Sequence, residues 1–286
     1  MSEPDVASWQ LDGLTLAGLV WGPPDGIPVL ALHGWMDHAE SFAELAPRLN
    51  GCRVVAIDLS GQGLSSHRAP HASYNIWDDL PQIDALLDSL GWESCVLMGH
   101  SRGANIGALF AAALPERVRG LIAIDSLVPE PSTQTVTQTL RGFIRQTRDQ
   151  IQRPPRRFDD ISAYIARRCK QGNTHQTAQA LADRALMRDG DGYLLRGDRR
   201  HFASSAMKLN REQIETVLRA IGCPVLNIWA EDGIKSRPAL ALMADFAAHT
   251  ITDYQSITVP GDHHAHMEAH CAGKMAEAIC AFVTGL

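Results

Sequence analysis

A serine placed between two glycines at the end of an apolar run is the feature that most restricts the fold. The stretch VLMGHSRGANIG (96–107) fits G-x-S-x-G, with Ser101 between Gly99 and Gly103. The apolar run predicts a buried strand, and the small residues after it predict a helix. So sharp a turn needs flanking glycines, because side chains there would collide with the neighbouring strand and helix. The turn exposes the hydroxyl, which predicts a nucleophile rather than a helix-capping serine.

Short apolar runs bounded by turn residues recur along the chain and predict buried strands. The first segment, WQLDGLTLAGLVWG (8–21), predicts two antiparallel strands joined at Asp12-Gly13. Later runs are VLALHG (29–34), RVVAIDLSG (53–61), CVLMGHS (95–101), VRGLIAIDS (118–126), PVLNIWAED (224–232) and YQSITVPG (254–261). The stretches between them have helical periodicity, as in LPQIDALLDSLGW (80–92). This alternation predicts a mostly parallel sheet covered by helices on both faces.

Residues 129–219 interrupt the alternation and predict an inserted helical cap. The segment lacks a strong strand run, and helices are predicted for QTLRGFIRQTRDQI (138–151), DISAYIARRCKQG (160–172) and TAQALADRALMRDG (177–190). Residues 1–128 and 220–286 then form the core. Residues 129–220 contain 17 Lys and Arg against 10 Asp and Glu, a net +7, whereas the chain carries −6 and the remainder therefore −13.

Two hypotheses explain this charge asymmetry. Solvated cationic helices that dock on an acidic body would produce it without any functional role. Alternatively, arginines such as Arg141, Arg145 or Arg200 attract an anionic substrate.

Composition excludes several classes of protein. Runs of about 18 apolar residues are absent, which argues against a membrane span. The start, MSEPDVASWQ, lacks the apolar region of a secretory signal. The net charge of −6 gives no basic footprint for nucleic acid. Six scattered cysteines without a C-x-x-C pair predict reduced thiols, so we expect a cytoplasmic protein.

The loop VPGDHHAHMEAH (259–270) offers a base for the serine. It follows the last predicted strand and precedes the last helix, and we predict His263 as the base, with His264 as second choice. A competing hypothesis is a zinc site, whose ligands would be His263, His264, His266, His270 and Cys271. Neither a carboxylate-rich cluster nor H-E-x-x-H supports that site, so we predict no metal.

A second loop offers a place for the oxyanion. In LALHGWMD (30–37) the chain turns at His33-Gly34 as a strand ends, and the backbone N–H of Trp35 is a candidate donor. The N–H of Arg102, at the start of the helix that follows the serine, is the other.

Together these motifs resemble the α/β-hydrolase superfamily, from about residue 9 to the C-terminus. Six stretches are similar to its serine-hydrolase-like group: HGWMDHAESF (33–42), DLSGQGLSSHR (58–68), MGHSRGANIG (98–107), IDSLVPEP (124–131), WAEDGI (229–234) and GDHHAHME (261–268). The resemblance implies an eight-stranded, mostly parallel sheet, a helical cap after the sixth strand, and triad residues in the order Ser, acid, His. Related haloalkane dehalogenases and epoxide hydrolases use an aspartate nucleophile, so Ser101 argues against both.

The resemblance leaves two candidates for the acid. Asp232 follows the strand before the last, which is the commonest place, but the usual spacing would put the carboxylate at Gly233. Asp125 ends the preceding strand, just before the insertion. We prefer Asp125 because of the mismatch at Gly233, and Asp232 remains the alternative.

The sequence therefore predicts a cofactor-free serine hydrolase that acts on a small-molecule ester, thioester or related acyl bond. A C–C bond hydrolase is an alternative in the same fold. So is a cofactor-free dioxygenase, since such enzymes resemble this chain in the His-Gly-Trp loop and in an acid after the sixth strand. A ligand-binding protein of this fold without turnover is the alternative from another class.

Overall fold

The computed structural model describes residues 3–286, in which strands and helices alternate. The strands are β1 (Asp5–Leu11), β2 (Leu14–Trp21), β3 (Ile27–Leu32), β4 (Cys52–Ile57), β5 (Cys95–His100), β6 (Val118–Ile124), β7 (Arg157–Phe158), β8 (Leu186–Asp189), β9 (Gly192–Leu195), β10 (Val225–Asp232) and β11 (Tyr254–Asp262). The α-helices are α1 (Leu80–Ser89), α2 (Arg102–Ala113), α3 (Val136–Gln152), α4 (Ile161–Lys170), α5 (His175–Ala180), α6 (Ala182–Ala185), α7 (Arg211–Ala220), α8 (Pro238–Thr250) and α9 (Ala269–Thr284).

Eight strands form the main sheet in the order β1-β2-β4-β3-β5-β6-β10-β11. The predicted hairpin is present: β1 and β2 are antiparallel, and Asp12 and Gly13 both adopt positive φ in the turn between them. β2 is also antiparallel to β4, and every later pair is parallel. The predicted mostly parallel, eight-stranded sheet is thus confirmed. Parallel strands place their carboxyl ends at one edge, where residues from several loops meet.

Apolar residues of the central strands alternate between two cores, one on each face of the sheet. In β3, Leu30 and Leu32 belong to the first core, and Val29 and Ala31 belong to the second; all four are fully buried. Helices α1, α2 and α7 contribute to the first core and α9 contributes to the second. Burial on both faces explains why these strands are continuous apolar runs.

The segment between β6 and β10 differs from the sequence-based expectation in one respect. Two of the predicted helices are present as α3 and α4, but the third predicted helix (177–190) ends early and its last residues form β8. β8 turns at Gly190, which has a φ of +57°, and pairs with β9, which also pairs with β7. These strands have two to four residues. Such short strands produce no detectable alternation, which is why the sequence pattern missed them.

Buried ion pairs connect this segment to the core. The Arg168 guanidinium donates to Asp37 at 2.7 Å. Arg184 donates to both oxygens of Asp58, at 3.1 and 2.9 Å. All four side chains are at least nine-tenths buried.

Among the helices within residues 3–286, none combines the length and apolar character that crossing a lipid bilayer requires.

Candidate active site

Ser101 occupies a strained turn between β5 and α2. Its φ of +52° and ψ of −114° lie outside the regions that residues other than glycine usually adopt. Gly99 and Gly103 make this turn possible. A Cβ built on Gly99 would overlap the backbone of residues 103 and 104, and one built on Gly103 would overlap the carbonyl oxygen of Leu32. The predicted reason for both glycines therefore holds in the structure.

Three side chains from separate loops form a hydrogen-bonded chain. Nδ1 of His263 lies 2.6 Å from Oδ2 of Asp125, and Nε2 lies 2.8 Å from Oγ of Ser101. A carboxylate accepts only, so Nδ1 carries the proton and Nε2 presents its lone pair to the serine hydroxyl. The side chain of His263 is 27% exposed and that of Asp125 is 2% exposed. The chain thus runs from a buried carboxylate to a solvent-accessible hydroxyl.

Asp125, rather than Asp232, reaches His263. The Asp125 carboxylate also accepts hydrogen bonds from the backbone N–H groups of Ala230 (3.1 Å) and Ile234 (3.0 Å), which fix its orientation. A Cβ built on Gly233 would overlap both oxygens of this carboxylate. Asp232 lies at the end of β10 with its side chain exposed. The Asp125 carboxylate therefore occupies the space that a side chain at position 233 would need.

Buried polar side chains lie directly behind His263. His100, between Gly99 and Ser101, has no exposed surface, and its Nε2 donates to the carbonyl oxygen of His263 at 2.7 Å. Its Nδ1, which has no hydrogen-bond partner among the described residues, faces the Asp37 carboxylate at 3.8 Å. Nε2 of His264 is 3.3 Å from the same carboxylate. Sequence analysis missed His100 and Asp37, whose only signal was adjacency to the two motifs.

Burial sets the protonation of this cluster. Desolvation, together with neighbouring histidines, lowers the pKa of His100 well below its usual value. Burial lowers the pKa of His266 to about 3. The pKa of Asp37 is held well below its usual range, because His264 and Arg168 stabilise its charge more than burial opposes it. The structure therefore favours neutral His100 and His266 beside an ionised carboxylate at neutral pH.

The five side chains of the alternative zinc hypothesis do not converge on one point. His264 groups with Asp37 and His100, whereas His270 and Cys271 group with Glu268, and the ligand atoms within each group lie within 4.8 Å of one another. Either group has donor atoms suitable for a metal ion. In the first, however, Asp37 already has a cationic partner in Arg168.

Of the predicted oxyanion donors, Trp35 lies in the loop after β3 and Arg102 is the first residue of α2. The contact of Gly103 with the end of β3 brings the start of α2 against the strand from which the Trp35 loop continues. Amides in the first turn of a helix lack intrahelical acceptors, which leaves that of Arg102 available for a ligand. The indole Nε1 of Trp35 donates to the carbonyl oxygen of His201 at 3.0 Å. The Arg102 side chain donates to Asp79 at 2.9 Å.

The three arginines considered for an anionic substrate have different environments. Arg141 and Arg145 are exposed on α3. Arg200 is occupied: its guanidinium donates to Asp198 and to the carbonyl oxygens of Arg68, Ala69 and Ala72. Arg200 also lines a cavity of about 590 Å³, which lies between the loop at 63–70 and residues 150–155 and 187–200. Of the described residues, those that line it include neither Ser101 nor His263.

Comparisons with known proteins identify the family. A sequence profile described as "alpha/beta hydrolase fold" matches residues 27–270. The chain is 32% identical to a serine hydrolase-like protein of Danio rerio over 88% of this chain and 80% of that protein. It is 31% identical to one of Dictyostelium discoideum, over 90% and 75%. A crystal structure of a hypothetical protein from Pseudomonas aeruginosa PAO1, 33% identical, superposes with a TM-score of 0.90 over 99% of this chain and 100% of that one. The chain therefore belongs to the α/β-hydrolase family, close to its serine hydrolase-like members, and is a hydrolase.

Proposed function

We propose that this hydrolase cleaves an ester, thioester or related acyl bond of a small molecule through Ser101, His263 and Asp125. The observation that supports this most is the continuous hydrogen-bonded chain from Asp125 through His263 to Ser101, with separations of 2.6 and 2.8 Å. Both distances are suitable for proton transfer without rearrangement.

In the first half-reaction, Oγ of Ser101 attacks the acyl carbonyl carbon. Its proton moves to Nε2 of His263 as the O–C bond forms. The imidazole becomes cationic, and the Asp125 carboxylate at Nδ1 stabilises that charge. The carbonyl oxygen becomes an oxyanion, and we propose that the backbone N–H groups of Trp35 and Arg102 stabilise it.

The leaving group then departs with the proton from His263, and the acyl group stays on Ser101. In the second half-reaction, His263 removes a proton from water, which attacks the acyl carbon. Collapse of the second tetrahedral intermediate returns the proton to Oγ and releases the acid. The chemistry requires no metal or cofactor at any step.

We further propose that the segment between β6 and β10 acts as a cap. Its attachment to the core through Arg168 and Arg184 supports this role, because a tethered segment can exclude water from the acyl-enzyme. The sequence-based prediction ends the cap at residue 219. Ile214 and Leu218 of α7 are buried in the first core, so we propose that the cap ends before Arg211.

Six free thiols support the additional proposal of a cytoplasmic location.

A fluorophosphonate probe tests the proposal, because it reacts covalently only with an activated serine. We expect the wild-type protein to be labelled at Ser101, and labelling to be lost in Ser101→Ala. Ser256→Ala, which removes an exposed serine on β11, is the matched control and should be labelled like the wild type. Absence of labelling in folded wild-type protein would overturn the proposal. It would favour instead a pocket that only binds ligand, or chemistry performed by His263 alone.

A further inference from the structure

The proposed cap contains a group of arginines that have no anionic partner among the residues that the structure describes. The arginine cluster consists of Arg153, Arg156, Arg167 and Arg199. Among residues 3–286, no carboxylate lies within ion-pairing distance of any of them, and the acceptors of Arg199 are the neutral oxygens of Pro154 and Gln150. Nη1 of Arg156 and Nε of Arg199 are buried, and neither has a hydrogen-bond acceptor in the described part of the chain.

Neighbouring arginines of the same segment behave differently. Arg157 pairs with Asp189, Arg168 with Asp37, and Arg200 with Asp198. Other arginines of the segment without an ion pair, such as Arg141 and Arg145, are exposed on α3, whereas the cluster contains buried donors. Its members also lie close enough to repel one another: after burial, the charges of Arg167, Arg199 and Arg153 are what lower the pKa of Arg156. Buried donors without acceptors and adjacent like charges both cost free energy, which an anion between them would recover.

The cluster surrounds a cavity large enough for such an anion. The cavity has a volume of about 250 Å³, and three of the four arginines line it, together with Gln150, Leu195, Gly197 and Phe202. Guanidinium and amide N–H groups supply donors, and Leu195 and Phe202 supply apolar walls. Arginine forms paired hydrogen bonds with carboxylate and phosphate groups, so these are the ligands that suit this lining.

Phe202 lines the cavity and contacts Trp35 of the candidate active site. Its ring lies 5.0 Å from that of Trp35 in an edge-on contact, and the guanidinium carbon of Arg156 lies 5.9 Å from its centroid. Trp35 is the residue whose backbone N–H we assign to the oxyanion. A substrate whose acyl group is at Ser101 could thus extend past Trp35 and Phe202 toward the arginines.

We propose that the arginine cluster binds a phosphate or carboxylate group at the end of the substrate remote from the scissile bond. The substrate class is then an anionic ester or thioester. This inference rests on the proposed function for its kinetic consequence, whereas anion binding itself does not depend on turnover.

Calorimetry tests the binding step. Inorganic pyrophosphate and succinate are titrated into the wild-type protein, Arg156→Gln and the control Arg211→Gln, which alters an exposed arginine of α7. We expect one site in the wild type and in the control, and binding that is weaker by about tenfold or more in Arg156→Gln. Comparison of the two probes shows whether phosphate or carboxylate is preferred. Binding that is absent from the wild type, or equal in wild type and Arg156→Gln, would refute the proposal.

Thermal unfolding tests whether misfolding of Arg156→Gln explains its weaker binding. Loss of one of several mutually repelling charges should leave the melting temperature of Arg156→Gln equal to or above that of the wild type. A melting temperature lower by more than loss of the cation–π contact with Phe202 explains would show that Arg156 has an anionic partner within the protein, which contradicts the basis of the proposal.

Kinetics with matched substrates separates this proposal from the proposed function. The 4-nitrophenyl ester of hexanoic acid is compared with the 4-nitrophenyl half-ester of adipic acid, which carries a terminal carboxylate. We expect a preference for the half-ester in kcat/KM of about tenfold. The preference for the half-ester should be lost in Arg156→Gln and retained in the control Arg211→Gln. Turnover without any such preference would refute the anion site alone, whereas absence of Ser101-dependent turnover would refute the proposed function and leave the calorimetric result standing.

Discussion

The carboxylate of Asp125 fills the space that a side chain at position 233 would need. A Cβ built on Gly233 would overlap both Asp125 oxygens, one of which lies 2.6 Å from Nδ1 of His263. Only one carboxylate fits at this place, although β6 and β10 could each supply it. The glycine is thus a consequence of the position of the acid.

Gly233→Ala should therefore disrupt the acid without altering any ionisable group. The added methyl must displace the Asp125 carboxylate, and a displacement of about 1 Å at such a site costs roughly 100-fold in rate. We expect kcat/KM to fall by about that factor in a steady-state ester assay. Gly273→Ala is the control, since a Cβ at that position on α9 meets no atom within 4 Å. Equal activity in both variants would contradict the steric argument.

Transfer of the acid between strands tests whether the two positions are equivalent. Asp125→Ala should lose most activity, and the double variant Asp125→Ala/Gly233→Asp should recover part of it, because the new carboxylate enters the vacated space. The measurement is kcat/KM of the two variants side by side. A double variant no more active than Asp125→Ala would show that the backbone at 233 cannot direct a carboxylate toward His263.

Amide substitutions discriminate between the two sequence candidates for the acid. Asp125→Asn should reduce kcat by roughly 10³–10⁴-fold, because an amide cannot stabilise the cationic imidazole or hold its tautomer. Asp232→Asn should have little effect, since that side chain is exposed at the end of β10. Both rates are measured at saturating substrate. A large loss in Asp232→Asn alone would reverse the assignment.

The ion pair between Arg168 and Asp37 should be important for stability. With side chains 10% and 1% exposed, loss of the arginine leaves a buried carboxylate whose remaining ion-pairing neighbours are the histidines His264 and His100. We expect Arg168→Met to lower the free energy of unfolding by about 3–5 kcal/mol. Arg211→Met removes an exposed i,i+4 pair with Glu215 and should change it by less than about 0.5 kcal/mol. Urea unfolding at pH 7.5 measures the free energy of unfolding of both variants. Similar losses in both would contradict the expectation that a buried ion pair is more important for stability than an exposed one.

The free energy of unfolding should fall as the pH drops below the pKa of an ordinary histidine. Burial lowers the pKa of His266 to about 3 in the folded protein, whereas the unfolded chain binds the proton near pH 6.5. The unfolded state therefore binds more protons between these values, so this contribution is complete above pH 6.5 and is lost as the pH falls toward 3.

Unfolding at pH 7.5 and pH 5.0 measures this effect. Lowering the pH to 5.0 should cost about 2 kcal/mol through His266 alone. Between pH 7.5 and pH 5.0, the free energy of unfolding of His266→Phe should fall by about 2 kcal/mol less than that of the wild type. His71→Gln, which alters an exposed histidine, should behave like the wild type. An unchanged pH dependence in His266→Phe would show that His266 is not kept neutral by the fold.

Local patterns were sufficient to predict the fold and the chemical groups at its centre. Burial on both faces makes parallel strands continuous apolar runs, and the glycines around Ser101 are required by local geometry. His263 could be proposed from order along the chain, because it lies on the loop between the last predicted strand and the last helix. Short-range regularities of this kind are visible in sequence because their physical causes are themselves short-range.

Only the tertiary structure decided which residues meet across the sheet. Asp125 and Asp232 both end strands, and the sequence separated them only by the spacing mismatch at Gly233. The distance from Asp125 to His263 and the space above Gly233 decide between them. The partners of the cap arginines likewise depend on contacts between distant segments, which is why Arg200 proved to be occupied and Arg156 did not. Hydrogen bonding and electrostatic interaction are determined by separation in space, and the chain folds residues far apart in sequence to within a few ångströms.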